Sequence, residues 1–108
     1  MPVTTLVAAG EVGDFAQAVE DLGYDYITAW EHVLGADVEH HARWDGPDTL
    51  VPIHEPLVLF GFLAGRTRRV GFMAVIGLPQ RQAALVAKQT AEVDVLTGGR
   101  LRVGAALG

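Results

Sequence analysis

Short apolar runs alternate with segments of helical period along this chain, and this alternation limits the possible folds more than any other feature. The runs are rich in small, β-branched and aromatic residues and predict strands over 3–9, 24–30, 70–78 and 101–107. Segments with apolar residues at helical spacing predict helices over 14–22, 56–65 and 82–96. Strands that alternate with helices pair in parallel through right-handed crossovers. We therefore expect an α/β fold with a parallel sheet.

Glycine and proline mark the expected boundaries of the helices. Gly10 and Gly13 predict a break after the first strand, so that Asp14 would begin the first helix as its cap. Gly23 would end that helix, and Pro56 suits the first position of the second. The run over 70–78 is almost wholly apolar, which is typical of a strand buried on both faces.

Two parallel architectures compete, and the first turn separates them. A dinucleotide-binding sheet requires a G-x-G-x-x-G turn after its first strand, and the glycines at Gly10 and Gly13 do not have that spacing. A TIM barrel requires eight strand-helix units over about 250 residues. With 108 residues, the chain holds about half of them. We expect one domain over 1–108 that forms the N-terminal half of such a barrel.

Composition excludes several classes of function. Eight basic residues against thirteen acidic ones give a net charge of -5, which disfavours nucleic acid as a partner. The chain has no cysteine and no serine, which excludes disulfides, thiolate zinc sites and a serine nucleophile. No secretory signal is apparent, and the longest apolar stretch, over 56–65, falls short of the roughly 20 residues that span a bilayer. We expect a cytoplasmic protein with no membrane partner.

Polar residues at the end of the second predicted strand are the first candidates for chemistry. Glu31 and His32 follow the run over 24–30, so the strand would deliver both to the rim of the sheet. A long segment without period, over 35–54, comes next, and such loops often carry function.

Histidines in and beside that segment raise the question of a metal. Adjacent histidines in an extended chain point apart, so His40 and His41 with His54 and Glu55 do not make a persuasive metal site. We expect no metal.

Several short motifs, taken in order, resemble the luciferase-like monooxygenase family. They are the segment over 15–25, the triplet Trp30-Glu31-His32, the run Leu78-Pro79-Gln80-Arg81 continuing into Ala87-Lys88-Gln89, and the tail over 94–101. They span most of 14–108. Within the family the chain is most similar to members that use coenzyme F420, a deazaflavin hydride carrier, and members that use FMN share the motifs.

The resemblance implies a cofactor site at the carboxyl ends of the barrel strands. It implies an oxidoreductase that transfers hydride or monooxygenates a small-molecule substrate, with F420 as cofactor and FMN as the alternative. His32, assisted by Glu31, would lie beside the ring as the catalytic pair. Ala74 and Val75 would support the ring from behind through a bulge with a cis peptide bond. The cofactor phosphate would be bound by barrel segments that have no counterpart in this chain.

Other charged residues have plainer interpretations. Arg81 and Lys88 could attract an anion, but a solvated loop arginine and an exposed helix lysine explain them equally well. Asp94 and Arg100 flank the turn over 97–99 and predict an ion pair between the last helix and the last strand.

A non-catalytic half-barrel is the alternative reading of the chain. Four strands cannot close a barrel, so sheet edges and an apolar inner face would stay uncovered. We therefore expect a homo-oligomer, or assembly with a complementary half-barrel chain.

Overall fold

The structure, a computed structural model, describes residues 8–32, 39–40 and 53–107. Its helices and strands, in chain order, are α1 (Ala9–Asp21), β1 (Tyr26–Ala29), α2 (Pro56–Ala64), β2 (Gly71–Gly77), a 3₁₀ turn (Leu78–Gln80), α3 (Ala83–Thr97) and β3 (Leu101–Ala106). Among the described residues, no helix is long and apolar enough to cross a membrane.

The three strands form one parallel sheet in the order β1-β2-β3. Ile27 pairs with Phe72, and Phe72 pairs with Leu101, so the strands run in step from their amino ends to their carboxyl ends. This confirms the predicted α/β fold with parallel strand-helix units. Of the strand predicted over 3–9, residues 3–7 lie outside the described part of the chain.

The hydrophobic core lies on one face of the sheet, beneath the helices. The rings of Phe60 from α2 and Phe72 from β2 pack with their centroids 5.0 Å apart, and both side chains are fully buried. Strand residues alternate in direction, so Ile27, Ala74 and Ile76 join this layer.

The opposite face of the sheet is open, which corrects the prediction for 70–78. In β2, Met73 and Val75 point away from the core and are 37% and 56% exposed. The strand is therefore buried on one face only within the described structure. A continuous apolar sequence arises here because the open face is itself apolar.

Helix α1 begins earlier than the glycines suggested. It starts at Ala9, so Gly10 and Gly13 lie inside the helix and Asp14 does not begin it. Gly13 allows close packing, because a Cβ at this position would lie 2.8 Å from the guanidinium carbon of Arg66. The glycine that looked like a boundary is a contact point between α1 and the segment after α2.

The predicted ion pair between Asp94 and Arg100 is replaced by bonds to the backbone. Nε of Arg100 donates to the carbonyl of Thr97 at 2.5 Å, and Nη1 donates to the carbonyl of Val70 at 2.8 Å and to Oγ1 of Thr67 at 3.1 Å. Burial lowers the pKa of Arg100, partly offset by the charge of Glu20. Thr97 ends α3 and Val70 directly precedes β2, so these bonds join the end of α3 to the start of β2.

Glu20 fixes the amino end of β2 to α1. Its carboxylate accepts backbone N–H bonds from Arg68 at 2.8 Å, Arg69 at 2.5 Å and Val70 at 2.9 Å. Burial alone would raise the pKa of Glu20, but these three bonds outweigh it and lower the pKa from 4.5 to about 2.

Replacing Glu20 by Gln should reduce stability in a pH-dependent way. Because the folded-state pKa is depressed, the contribution of Glu20 is complete above pH 4.5 and is lost as the pH falls towards 2. We expect Glu20→Gln to lower the free energy of unfolding by about 1 kcal/mol at pH 7. Urea titrations at pH 7, 4 and 3 would measure this. The exposed Glu92→Gln serves as control, and equal losses in the two variants would contradict the assignment.

Candidate functional site

The carboxyl ends of the three strands surround a concave cavity of about 600 Å³. The cavity extends over the open face of the sheet from β1 to β3. Its lining consists of Thr28, Ala29, Trp30, Glu31, His32, Met73, Ala74, Val75, Gly77, Pro79, Gln80, Ala106 and Leu107. We call it the rim cavity. It occupies the edge where parallel sheets place their ligands.

The rim cavity has an apolar floor and is bordered by an exposed indole. Met73 and Val75 form the floor on β2, and Trp30, which is 64% exposed, stands where β1 ends. Gly104 on β3 leaves room beside Val75, since a Cβ at this position would lie 3.3 Å from Val75 Cγ2. A flat apolar surface beside an aromatic ring suits an aromatic ligand.

Glu31 is buried at the edge of this cavity and is fully engaged. Its side chain is 2% exposed, Oε2 accepts the backbone N–H of Gly77 at 2.7 Å, and Oε1 accepts from Nε of Arg81. The carboxylate therefore joins the end of β1 to the end of β2 and to the segment that leads into α3.

Arg81 bridges Glu31 to a second carboxylate. Its Nη2 donates to Oε1 of Glu55, and Oε2 of Glu55 accepts the N–H of Val58 at 2.6 Å, which caps α2. Burial would lower the pKa of Arg81, but its bonds with Glu55 and Glu31 outweigh burial and raise it. We refer to Glu31, Arg81 and Glu55 as the rim cluster.

His32 lies between two cavities. It lines the rim cavity and also a second one of about 450 Å³ between the amino ends of α2 and α3. The second cavity is more polar, with Gln80, Gln82 and Gln89 in its lining. The structure thus places Glu31 and His32 together at the edge where β2 ends in Gly77, as the strand pattern predicted.

Ala74 and Val75 line the rim cavity, but the bond between them is trans. No cis peptide bond occurs in 8–32, 39–40 or 53–107. Both residues belong to a continuous ladder in which Ala74 pairs with Val103 and Val75 with Gly104, so the expected bulge is also absent there. The cis peptide prediction is wrong because regular pairing with β3 holds this step in ordinary strand geometry.

The described residues contain no group of three side chains suited to hold a metal ion. His40, His54 and Glu55 are described, and Glu55 belongs to the rim cluster. His41 lies outside the described part of the chain.

Positive charge gathers at the end of the sheet opposite the rim cavity. Five arginines lie at the amino ends of β2 and β3: Arg66, Arg68, Arg69, Arg100 and Arg102. The lining of the rim cavity contains no lysine and no arginine among the described residues. Arg81, near that cavity, shares its charge between two carboxylates. The rim cluster therefore carries one net negative charge, and the arginines at the opposite end lie among acidic residues that include Asp14, Glu20 and Asp25.

Sequence reasoning missed the rim cluster. Arg81 was interpreted as a solvated loop residue or an anion ligand, yet its side chain is only 14% exposed and is bound to two acids. The position of Glu55 directly before Pro56 signals a helix cap, and that signal was available. What the sequence could not show is that Arg81 is folded back to this cap by the turn over Leu78–Gln80.

Comparison with known proteins agrees with this geometry. The whole chain, residues 1–108, matches the sequence profile of the luciferase-like monooxygenases. The chain belongs to this family. A similar characterised protein is 4-hydroxyprotoasukamycin monooxygenase of Streptomyces nodosus subsp. asukaensis, 29% identical over 96 residues, which are 88% of this chain and 22% of that protein.

Similar solved structures support the fold. Riboflavin lyase, solved with modified FMN and its substrate riboflavin, superposes with a TM-score of 0.76 at 22% identity over 93% of this chain and 23% of its own. The oxygenating constituent of 3,6-diketocamphane monooxygenase from Pseudomonas putida, solved with FMN, gives 0.69 at 19% identity over 93% and 24%. The chain therefore spans about a quarter of these proteins and forms part of a TIM barrel.

Removing the carboxylate of Glu31 should destabilise the fold strongly. Glu31→Ala leaves the N–H of Gly77 and one edge of Arg81 without their partner, so we expect a loss of about 3 kcal/mol in the free energy of unfolding. Asp14→Asn is the matched control, because Asp14 meets Arg66 at 3.5 Å on the surface and should cost under about 0.5 kcal/mol. Chemical denaturation of both variants measures the free energy of unfolding. Similar losses in the two variants would refute the structural role assigned to Glu31.

Proposed function

We propose that this chain supplies the ring-binding part of a flavin-dependent oxidoreductase of the monooxygenase type, acting on a small organic substrate. The rim cavity is the observation that carries the proposal: an apolar floor on the sheet, beside Trp30 and His32, at the carboxyl ends of parallel strands. Family membership and the FMN bound to two similar structures support it.

The residues of the rim cavity fit the ring of a flavin and not its phosphate. Met73, Val75 and Trp30 offer apolar and aromatic surface of the kind that a tricyclic ring covers. A phosphate requires cations or free backbone donors. The cavity lining described above has no lysine or arginine, and Arg81 beside it is bound to two acids. The phosphate would have to find its cations outside the residues described.

FMN is the cofactor we favour, with F420 as the second choice. The motif resemblance placed F420 first, but the similar structures whose cofactor is named hold FMN or a modified FMN. Both molecules present a flat tricyclic ring to the same kind of surface, so the apolar floor does not choose between them.

The chain's own residues would act around the ring as follows. A bound flavin supplies hydride transfer or oxygen activation. His32, which faces the rim cavity, would bind or exchange a proton next to it. Glu31 would assist by fixing the segment that carries His32, since both of its oxygens already accept hydrogen bonds. Ala74 and Val75 would support the ring with ordinary strand backbone.

Titration with flavins tests the proposal directly. Because the described lining of the rim cavity holds no lysine or arginine, we expect the fluorescence of riboflavin and FMN to be quenched on binding, with dissociation constants within about threefold of each other. Fluorescence titration with riboflavin, FMN and F420 would measure this. Absence of binding by all three would overturn the proposal.

A matched pair of variants locates the binding. Val75→Glu places a charge on the floor of the rim cavity and should abolish flavin binding, whereas Val95→Glu places the same charge on an exposed part of α3 and should leave binding unchanged. Equal effects of the two variants would show that the flavin binds elsewhere.

His32→Ala should change reactivity more than affinity. With flavin bound and chemically reduced, we expect its reoxidation in air to slow by about tenfold or more while the dissociation constant changes less than about threefold. Stopped-flow absorbance after mixing with oxygenated buffer gives the rate. An unchanged rate would remove His32 from the chemistry.

A structural, oligomer-forming role is the second candidate, and the open face of the sheet favours it. Met73, Val75, Trp30 and Leu107 expose apolar surface on one side, and within the described residues β3 pairs with β2 only. Such a face is stabilised when another copy, or a chain that completes the barrel, covers it.

Size-exclusion chromatography with light scattering tests this second role. We expect a dimer or larger species at micromolar protein, because burying the exposed apolar face is favourable. Met73→Lys combined with Val75→Lys should shift the species to monomer, while Val95→Lys on the exposed side of α3 should not. A monodisperse wild-type monomer would contradict the expectation.

A further inference from the structure

We propose that Arg81 is a positioning residue that keeps the rim cavity in its ligand-binding shape by holding Glu31 and Glu55 together. The proposal rests on the flavin site proposed above and extends it to a residue that does not line the rim cavity. Arg81 would act through the two carboxylates and would not touch the cofactor.

The rim cluster joins three parts of the fold that are distant in sequence. Glu31 follows β1, Glu55 precedes α2 and Arg81 lies between the 3₁₀ turn and α3. Arg81 is 50 residues from Glu31 and 26 residues from Glu55. Of the contacts described, no other single side chain connects these three segments at the carboxyl end of the sheet.

Each carboxylate in turn holds a backbone group. Glu31 accepts the N–H of Gly77, which ends β2, and Glu55 accepts the N–H of Val58 in the first turn of α2. Arg81 thus stabilises two backbone hydrogen bonds indirectly. If its charge were lost, the two carboxylates would lose their shared cation, and Glu31 would remain 2% exposed with no counter-ion in the rim cluster.

The effect on the site follows from the position of Glu31 in the chain. Its neighbours Trp30 and His32 both line the rim cavity, so the bond from Glu31 to Gly77 fixes where these two side chains stand. Release of Glu31 from Arg81 would loosen the edge of the cavity while the strands themselves stay paired.

A direct anion-binding role for Arg81 is less consistent with these contacts. Two of its three guanidinium nitrogens, Nε and Nη2, already donate to carboxylates. The cluster of one guanidinium and two carboxylates carries a net negative charge, which repels a phosphate.

Amide hydrogen exchange on the full chain tests the positioning role without any cofactor. In Arg81→Gln we expect the amides of Gly77 and Val58 to exchange about tenfold faster than in the wild type. The amide of Phe72 donates to the backbone carbonyl of Arg100 at 2.9 Å, and its exchange rate should stay within about twofold of the wild-type rate. Arg81→Lys restores the charge with a single donor group and should give intermediate rates.

Arg66→Gln is the matched control, because Arg66 also pairs with a carboxylate but lies at the other end of the sheet. It should leave the exchange of Gly77 and Val58 unchanged. Unaltered rates in Arg81→Gln, or an equal rise at Phe72, would overturn the proposal. Should Arg81→Gln fail to fold, Arg81→Lys against Arg66→Lys gives the same comparison.

Flavin affinity completes the test and separates this inference from the proposed function. We expect the dissociation constant for riboflavin to rise about tenfold in Arg81→Gln, to recover in part in Arg81→Lys and to stay unchanged in Arg66→Gln. Faster exchange at Gly77 with unchanged affinity would overturn the positioning role while the flavin site stands. Failure of the wild type itself to bind any flavin would refute the proposed function, and the exchange rates would still decide whether Arg81 holds the rim.

Discussion

The central strand β2 is held at both ends by a carboxylate, and the position of the candidate site depends on this arrangement. At the amino end Glu20 accepts the N–H groups of Arg68, Arg69 and Val70, and at the carboxyl end Glu31 accepts that of Gly77. Glu20 belongs to α1 and Glu31 follows β1, so both carboxylates come from segments that precede β2 in the chain. Backbone donors at strand ends have no ladder partner, so a charged acceptor there stabilises them and also fixes the register of neighbouring elements.

The sheet is buried on one face only, and the open face is the one that carries the candidate site. The helices cover one face of the sheet, and the other face presents Met73 and Val75 to a cavity that is bordered by Trp30 and His32. An apolar sheet face that no element of the described structure covers is a surface suited to bind a ligand or another protein segment. The two candidate roles are therefore two uses of the same surface.

The order of the strands and helices and the residues at the rim could be predicted from the sequence. The start of α1 and the side-chain partners of Arg81 could not. Alternation of apolar runs and helical segments was enough to predict the parallel sheet, and the polar pair Glu31-His32 after a strand was enough to locate the rim. Glycine misled at Gly13, which lies inside α1 against the guanidinium of Arg66 and does not end an element. The sequence also did not reveal that Arg81 turns back to Glu31 and Glu55, because these partners lie 50 and 26 residues away in the chain.

The charge of the rim cluster has a consequence for how ligands approach. One guanidinium and two carboxylates leave the rim cluster with one net negative charge, and the described lining of the rim cavity holds no lysine or arginine to offset it. An anion that approaches this cluster is repelled by it, and dissolved ions screen that repulsion beyond about 8 Å at physiological ionic strength. Added salt therefore weakens the local repulsion between the rim cluster and a negatively charged ligand.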